Sequence, residues 1–119
     1  MGAAVTRWQI LSKDPEASTS FYATVFGWTI HSDNPLGYRE LRSNAKGGID
    51  GGVWPCPPEG RPMVQLFIEA PDIEVTIRAA TRLGARVIIS PQLLPQGERM
   101  AVLTDPEGIP FGLVQSARA

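Results

Sequence analysis

Seven side chains in this sequence are of the types that orient a small organic molecule. They comprise one guanidinium group, two carboxamides, two carboxylates and two aromatic rings: Arg7, Gln9, Asp50, Trp54, Gln65, Phe67 and Glu69. Aromatic rings offer flat apolar surface on which a planar ligand stacks, and a few polar groups then fix its orientation. The residue types therefore indicate a small-molecule binding site.

Strand periodicity predicts that these side chains share one face of a sheet. In segment 6–12, Arg7 and Gln9 alternate with Trp8 and Ile10, so the two pairs point to opposite sides. The same alternation holds in segments 48–54 and 63–69.

Arg7 is expected either to contact an anionic or carbonyl group of a ligand or to pair with Asp50 or Glu69. Trp54 either stacks on a ligand or covers the proline-rich segment that follows it.

The sequence does not contain the residue patterns of nucleophilic catalysis or of phosphate binding. Cys56 lies between two prolines with no base nearby in sequence, which argues against a nucleophile. The glycine-rich segment 47–52 is not followed by a helix, so it does not predict a phosphate-binding loop. The single histidine, His31, is expected to be an exposed residue of an edge strand. No catalytic residue is assigned.

Composition narrows the class of protein further. The chain has 119 residues, a net charge of −1 and one cysteine, which fits one domain without a disulfide or a multi-cysteine zinc site. The lack of excess positive charge argues against nucleic acid or an anionic membrane as partner. No apolar run reaches the length of a membrane span, and no signal-peptide core follows Met1. We expect a soluble cytoplasmic protein.

The two halves of the chain repeat one pattern of elements. Asp14 and Asp72 each cap the start of a predicted helix, and Gly27 and Gly84 each end one. Apolar residues such as Ala17, Phe21 and Val25, with Tyr22 or Phe26 beside them, form a stripe at helical spacing in the first helix; Ile73, Ile77, Ala80 and Leu83 form one in the second. Each half reads strand, helix, strand, strand, strand.

The repeat predicts a single domain of two modules, 1–54 and 63–119, joined by a linker over 55–62. The expected strands are 6–12, 28–32, 38–42, 48–54, 63–69, 86–89, 99–104 and 110–115. Turns are predicted at 33–37, 43–47 and 105–108, and a loop at 91–97.

The chain resembles the vicinal oxygen chelate superfamily, which includes glyoxalase I, extradiol dioxygenases and bleomycin-resistance proteins. The resemblance lies in segments 14–18, 21–22, 25–28, 68–73, 83–85 and 105–108, with Gly112 and Leu113. It implies an α+β fold in which two βαβββ modules form a curled mixed sheet around a concave cleft, with the helices on the convex side. It also implies dimers whose subunits complete each other's clefts. We therefore expect a homodimer with aromatic residues such as Trp8 or Trp28 near the interface.

The resemblance also gives the positions of metal ligands in metal-dependent members. The first lies seven residues before the helix-opening Asp, which is Arg7 here, and its counterpart in the second half is Gln65. The last position is Gly112, and only Asp50 on the corresponding strand of the first half could coordinate. A guanidinium group and a glycine supply no lone pair, so we expect no metal and no cofactor.

Three functions remain open on these residues. The first is a metal-independent protein that sequesters an aromatic natural product or drug, as bleomycin-resistance proteins do. The second is a metal-dependent lyase or isomerase of the same fold. The third is an accessory interaction module in a biosynthetic pathway. The expected partners are a small aromatic or planar ligand and a second copy of the chain.

Overall fold

The computed structural model describes residues 2–33, 38–94 and 97–117. Within these residues the chain forms eight strands and two helices. In chain order they are β1 (Val5–Ser12), α1 (Pro15–Phe26), β2 (Thr29–His31), β3 (Arg39–Arg42), β4 (Gly51–Pro55), β5 (Met63–Glu69), α2 (Ile73–Arg82), β6 (Arg86–Leu93), β7 (Arg99–Thr104) and β8 (Pro110–Gln115). The repeated order of strand, helix and three strands is confirmed.

The contacts divide the chain into two compact units. The first unit is Arg7–Gln65, and the second is Met1–Thr6 together with Leu66–Ala119. The sheet of the first unit has the order β2-β3-β4-β1, with β1 parallel to β4 and the other pairs antiparallel. The second unit has the order β5-β8-β7-β6, with β5 parallel to β8. Each unit thus combines a mixed sheet with one helix, and the α+β fold class is confirmed.

Matching caps fix the start of both helices. The Asp14 Oδ1 atom accepts a hydrogen bond from the Ala17 N–H at 3.1 Å, and the Asp72 Oδ1 atom accepts one from Val75 at 3.2 Å. Both bonds satisfy a backbone donor that has no partner within the helix. Gly27 ends α1 in the left-handed conformation, with φ of 71°, which glycine adopts without a steric cost. Gly84, with φ of 104°, follows the last residue of α2 by two positions, so the chain leaves the second helix at the predicted glycine.

The core of the second unit lies on both sides of its sheet. Ile73 of α2 is fully buried and packs with Leu103 and Leu113 on one side. Phe67 packs with Val102 and Val114 in a separate cluster. The predicted apolar stripe of α2 holds through Ile73, Ile77 and Ala80. The prediction is wrong for Leu83, the last residue of the stripe, which is 81% exposed. Leu83 lies after the last residue of α2, Arg82, so it no longer continues the helical stripe.

The predicted stripe of α1 does not form a core. Phe21 and Val25 are each 56% exposed and Phe26 is 57% exposed. The buried residue of the helix is Thr19, and the sheet beneath contributes fully buried Leu41 and Val53. The small Thr19 side chain lets the helix approach the sheet, so the aromatic residues on its other faces remain at the surface.

Two predicted strand boundaries are wrong by more than one residue, and β4 also includes Pro55, the first residue of the predicted linker, which pairs with Ser12 of β1. The strand predicted at 48–54 begins only at Gly51, because Gly47 turns the chain with φ of 80° and the Asp50 carboxylate accepts a hydrogen bond from the Ser43 N–H. Ile49 and Asp50 thus lie ahead of the strand. β6 continues to Leu93, into the predicted loop 91–97. Irregular register between β6 and β7 accommodates Pro91 there.

The remaining turns agree with the sequence where they can be compared. At 105–108 the Asp105 carboxylate accepts hydrogen bonds from the N–H groups of Glu107 and Ile109, both at 2.9 Å. The turn predicted at 33–37 falls mainly outside the described residues. Neither α1 nor α2 is long and apolar enough to cross a membrane, and no other helix is present among the described residues.

Gly112 is a position at which any side chain should disturb the second unit. A Cβ atom on Gly112 would overlap the ring of Phe67, which is 2% exposed and cannot move outward freely. We expect Gly112→Ala to lower the free energy of unfolding by about 1–3 kcal/mol, as overpacking does, measured by urea denaturation. Gly2→Ala is the control, because a Cβ atom there meets nothing. Equal stability of Gly112→Ala and the parent would contradict the packing.

The ion pair between α2 and β7 should make stability depend on acid pH. Arg99 Nη1 and Nη2 donate to the two Glu74 carboxylate oxygens at 2.5 and 2.9 Å. This hydrogen bonding lowers the pKa of Glu74 below its ordinary value. A carboxyl with a lowered pKa in the folded state contributes stability that is present above its unfolded pKa. That contribution is lost as the pH falls through the folded pKa.

Glu74→Gln should therefore flatten the decline in stability between neutral and acid pH. The measurement is a series of urea denaturations across that range. Arg99→Gln removes the partner of the same pair and must flatten the curve in the same way. A parent-like curve in either variant would show that the pair does not contribute.

Candidate functional site

The candidate site is the face of the first unit's sheet that points away from α1. Trp8 marks the helix side, because its ring lies 5.3 Å from that of Trp28, which stacks on Tyr22 of α1. Arg39 also marks that side, since it pairs with Glu16 of α1. The alternate residues on β1, β3 and β4 therefore point to the other side. There Gln9 and Glu40 flank Gly52 from its two neighbouring strands.

The ring of Tyr38 covers the glycine at the centre of this face and lies beside the ring of Trp54. The rings of Tyr38 and Trp54 have centroids 4.8 Å apart and are tilted by 31°. A Cβ atom on Gly52 would overlap the Tyr38 ring. The missing side chain at Gly52 therefore lets the Tyr38 ring lie directly on the strand, next to Trp54. Trp54 is half-buried, so part of its surface is in contact with solvent.

The polar residues around the pair differ in accessibility. Gln9 is 7% exposed and lies beside Gly52 in the register. Arg7, two residues earlier on the same face, is half-buried. Asp50 is exposed and its Oδ1 atom accepts a hydrogen bond from Ser43 at 3.2 Å. On β3 the Glu40 carboxylate pairs with Arg42 at 2.8 Å. The face combines flat aromatic surface with groups of both charges.

The other three predicted site residues have different surroundings. Phe67 and Glu69 belong to the second unit. Phe67 is buried in that unit's core, and the Glu69 carboxylate accepts a hydrogen bond from the Ser116 hydroxyl at 3.1 Å. Gln65, at the end of the first unit, is 5% exposed, and its Nε2 atom lies 3.9 Å from the Met63 sulfur. Four of the seven predicted residues, Arg7, Gln9, Asp50 and Trp54, therefore lie around the aromatic pair of the first unit, and the other three do not.

The positions that the resemblance assigns to metal ligands do not fit a metal. Arg7 carries a positive charge and no lone pair. Gly112 has no side chain, and the Phe67 ring fills the space that one would take. Gln65 offers one amide oxygen. Among residues 2–33, 38–94 and 97–117, no three His, Cys, Asp or Glu side chains lie close enough together to share an ion. Transition-metal sites in proteins use three or more such ligands.

A cavity of about 450 Å³ lies elsewhere in the first unit, beside the start of α1. Its walls include Ile10, Tyr22 and Met63. Its polar groups already have partners inside the protein: the hydroxyls of Ser12 and Ser18 are 2.6 Å apart. The Lys13 ammonium donates to the carbonyls of Pro57 and Pro58 at 3.0 and 2.9 Å. The cavity therefore offers mainly apolar surface, and the face with the aromatic pair is the better candidate.

Comparison with known families agrees with the fold. A family model described as a glyoxalase-like domain matches residues 8–114, which is most of the chain. The chain belongs to this glyoxalase-like domain family. Its place in the vicinal oxygen chelate superfamily, predicted from the sequence, is thereby confirmed.

Two curated relatives match this glyoxalase-like domain over almost its whole length. They are proteins named "Putative glyoxylase CFP32" from Mycobacterium bovis and Mycobacterium tuberculosis, each 29% identical over 111 residues. The match covers 92% of this chain and 42% of each relative. The chain thus spans less than half the length of the curated relatives it matches.

Solved structures of low sequence identity share the fold. A hypothetical protein from Bacillus halodurans C-125 has a TM-score of 0.72 at 14% identity, covering 100% of this chain and 98% of that one. The methylmalonyl-CoA epimerase of Streptomyces coelicolor was solved as a variant in complex with 2-nitronate-propionyl-CoA. It has a TM-score of 0.66 at 19% identity, and the match covers 96% of this chain and 97% of the epimerase. The epimerase of Mycobacterium tuberculosis has a TM-score of 0.66 at 19% identity, covering 98% and 89%. At these identities the likeness concerns the fold.

Tyr38 is the site residue that sequence reasoning missed. It precedes β3 by one residue, and periodicity within a short strand gives no sign that its ring covers a neighbouring strand. The available signal was Gly52, a glycine inside a predicted strand, because such glycines often mark close approach of another group. Combining that glycine with the nearest unassigned aromatic residue would have suggested the contact.

The ligand set of this glyoxalase-like domain should fail to retain a transition metal. We expect protein incubated with Zn²⁺ or Ni²⁺ and then dialysed to contain far less than one ion per chain, measured by elemental analysis. The reason is that no three suitable ligands lie together among the residues that the structure describes, so Arg7→Gln should behave like the parent even though the positive charge is gone. One tightly held ion per chain in the parent would contradict this prediction.

Proposed function

We propose that this glyoxalase-like domain is a metal-independent binding protein for planar aromatic compounds, of the natural-product or drug type. Its role would be sequestration, as in resistance proteins, in the cytoplasm, where the single unpaired cysteine would stay reduced. The observation that carries the proposal is the Tyr38 ring lying over Gly52, next to the ring of Trp54. The two rings form an aromatic surface on a sheet face that also carries Gln9 and Arg7.

The aromatic pair supports binding of a flat ring system. Stacking contributes on the order of 1 kcal/mol beyond the burial of apolar area. A charged hydrogen bond, such as one from the Arg7 guanidinium to a ligand carboxylate or carbonyl, adds about 1.5–3 kcal/mol. Together with burial of a planar ligand, these terms are consistent with micromolar affinity, about −8 kcal/mol. The ligand class is therefore planar, aromatic and anionic or rich in carbonyl groups.

Within the part of the chain that the structure describes, no three His, Cys, Asp or Glu side chains lie together as a metal site would require, and this supports binding over metal-dependent catalysis. Cys56 donates to the Pro57 carbonyl at 3.5 Å, and the positions corresponding to metal ligands hold Arg7, Gln65 and Gly112. The name of the curated relatives favours a second candidate, a glyoxylase-type lyase or isomerase. That function would need a metal that the residues of this chain are poorly suited to hold. Turnover that depends on added metal would support the second candidate over the first.

Substitution in the aromatic pair should weaken binding. A panel of planar aromatic carboxylates and quinones, titrated by calorimetry, should include ligands that saturate the parent. We expect Trp54→Ala to weaken their binding at least tenfold. We expect Gly52→Ala to weaken it as well, because the new methyl group displaces the Tyr38 ring. Arg7→Ala should weaken anionic ligands more than neutral ones.

Trp28→Phe is the matched control, because Trp28 lies on the α1 side of the same sheet and should leave affinity unchanged. Circular dichroism shows that each variant is folded before titration. The proposal fails if Trp54→Ala and Gly52→Ala both bind as the parent does. It also fails if Trp28→Phe weakens binding as much as Trp54→Ala.

A further inference from the structure

Gln9 is a buried polar side chain to which the protein offers no hydrogen-bond partner. The residue is only 7% exposed, and its carboxamide makes no hydrogen bond within the part of the chain that the structure describes. Its oxygen and nitrogen atoms are nevertheless not completely covered. Buried polar groups in folded proteins are nearly always hydrogen-bonded, so an exception calls for a physical reason.

Three other buried polar side chains either have a partner or cannot be reached from outside. The Gln115 Oε1 atom accepts a hydrogen bond from the Ile73 N–H at 2.7 Å. Gln65 directs its nitrogen at a methionine sulfur, 3.9 Å away. The Thr19 hydroxyl has no partner, but it is fully covered, so no ligand can contact it. Gln9 therefore combines an unsatisfied carboxamide with access from outside.

Gln9 lies on the proposed binding face, next to its aromatic rings. Its register partner on β4 is Gly52, which places the two Cα atoms about 4.8 Å apart. Gly52 has no side chain, and the Tyr38 ring lies over it. Trp54 follows two residues later and therefore points to the same side of the sheet. A ring system that stacks beside these aromatic rings thus brings one edge to the Gln9 carboxamide.

A carboxamide recognises a hydrogen-bond donor and an acceptor that lie side by side. Its oxygen accepts and its nitrogen donates, which is how Asn and Gln bind the edge of adenine with two hydrogen bonds. The N–H and C=O of a lactam match this pattern. A carboxylate offers acceptors only, so the Gln9 oxygen would stay without a donor. The carboxylate of Glu40, on the other side of Gly52, also disfavours an anion at this position.

We propose that Gln9 determines ligand specificity on this face by selecting planar heteroaromatic compounds with a lactam edge. The inference rests on the proposed binding function and narrows its ligand class. The lactam N–H donates to the Gln9 oxygen, and the Gln9 nitrogen donates to the lactam oxygen. A ligand without this pair leaves the buried carboxamide unsatisfied, and sites of this kind discriminate strongly against such analogues.

Isocarbostyril and isocoumarin test the proposal directly. Both are planar bicyclic compounds, and they differ only in that the lactam N–H of the first is a ring oxygen in the second. We expect the parent to bind isocarbostyril at least about tenfold more tightly than isocoumarin, measured by calorimetry. In Gln9→Met, which keeps a similar side-chain volume without the amide, this preference should disappear.

A stability measurement separates recognition from a structural role of Gln9, and it needs no ligand. Because the carboxamide bonds to nothing in the described part of the chain, Gln9→Met should unfold at a urea concentration no lower than the parent does. Gln115→Met is the matched control. It removes the acceptor of the Ile73 N–H and should unfold at a lower urea concentration.

Three results would overturn the proposal: equal binding of isocarbostyril and isocoumarin by the parent, a preference that persists in Gln9→Met, or a Gln9→Met variant that unfolds at a lower urea concentration than the parent. A parent that binds other planar aromatic compounds but not isocarbostyril overturns it as well. Failure of the proposed function itself looks different. The parent then binds none of the planar aromatic compounds, and the specificity inferred for Gln9 fails with it.

Discussion

Both units depend on the same steric constraint, an aromatic ring that lies flat on a strand because the residue beneath it is glycine. Trp8 covers Gly51 and Tyr38 covers Gly52 in the first unit, and Phe67 covers Gly112 in the second. Each contact brings a ring closer to the backbone than any other residue type would allow. The first fixes the helix side of the β1–β4 pair, and the second creates the candidate binding surface. The third fills the space beside Gly112, the position that the resemblance assigns to a metal ligand.

Local signals predicted the fold because each acts through a bond within a few residues. Asp14 and Asp72 cap their helices by accepting a hydrogen bond from a residue three positions later, so the sequence alone indicates them. The repeat then follows from their spacing. Boundaries that depend on more distant partners were predicted less well. β6 runs past Pro91 because of its irregular pairing with β7, and no periodicity within 86–93 reveals that.

The candidate site was predicted only in part for the same reason. Alternation along β1 and β4 correctly separated Gln9 and Trp54 from Trp8 and Val53, since side-chain direction in a strand is a local property. The position of Tyr38 over Gly52 depends on how β3 and β4 pair, which the sequence does not specify. The prediction that the apolar stripe of α1 faces the core was wrong, because Phe21, Val25 and Phe26 are exposed. Its helical period was correct, but periodicity does not tell whether an apolar side meets the core or another molecule.

The contacts between rings and glycines also restrict how this sequence can evolve. A single mutation at Gly52 meets the Tyr38 ring, and a single mutation at Gly112 meets the Phe67 ring. A larger residue at either glycine is therefore expected only together with a smaller residue in place of the covering ring. A relative with a larger residue at the position of Gly112 should carry a smaller one at the position of Phe67.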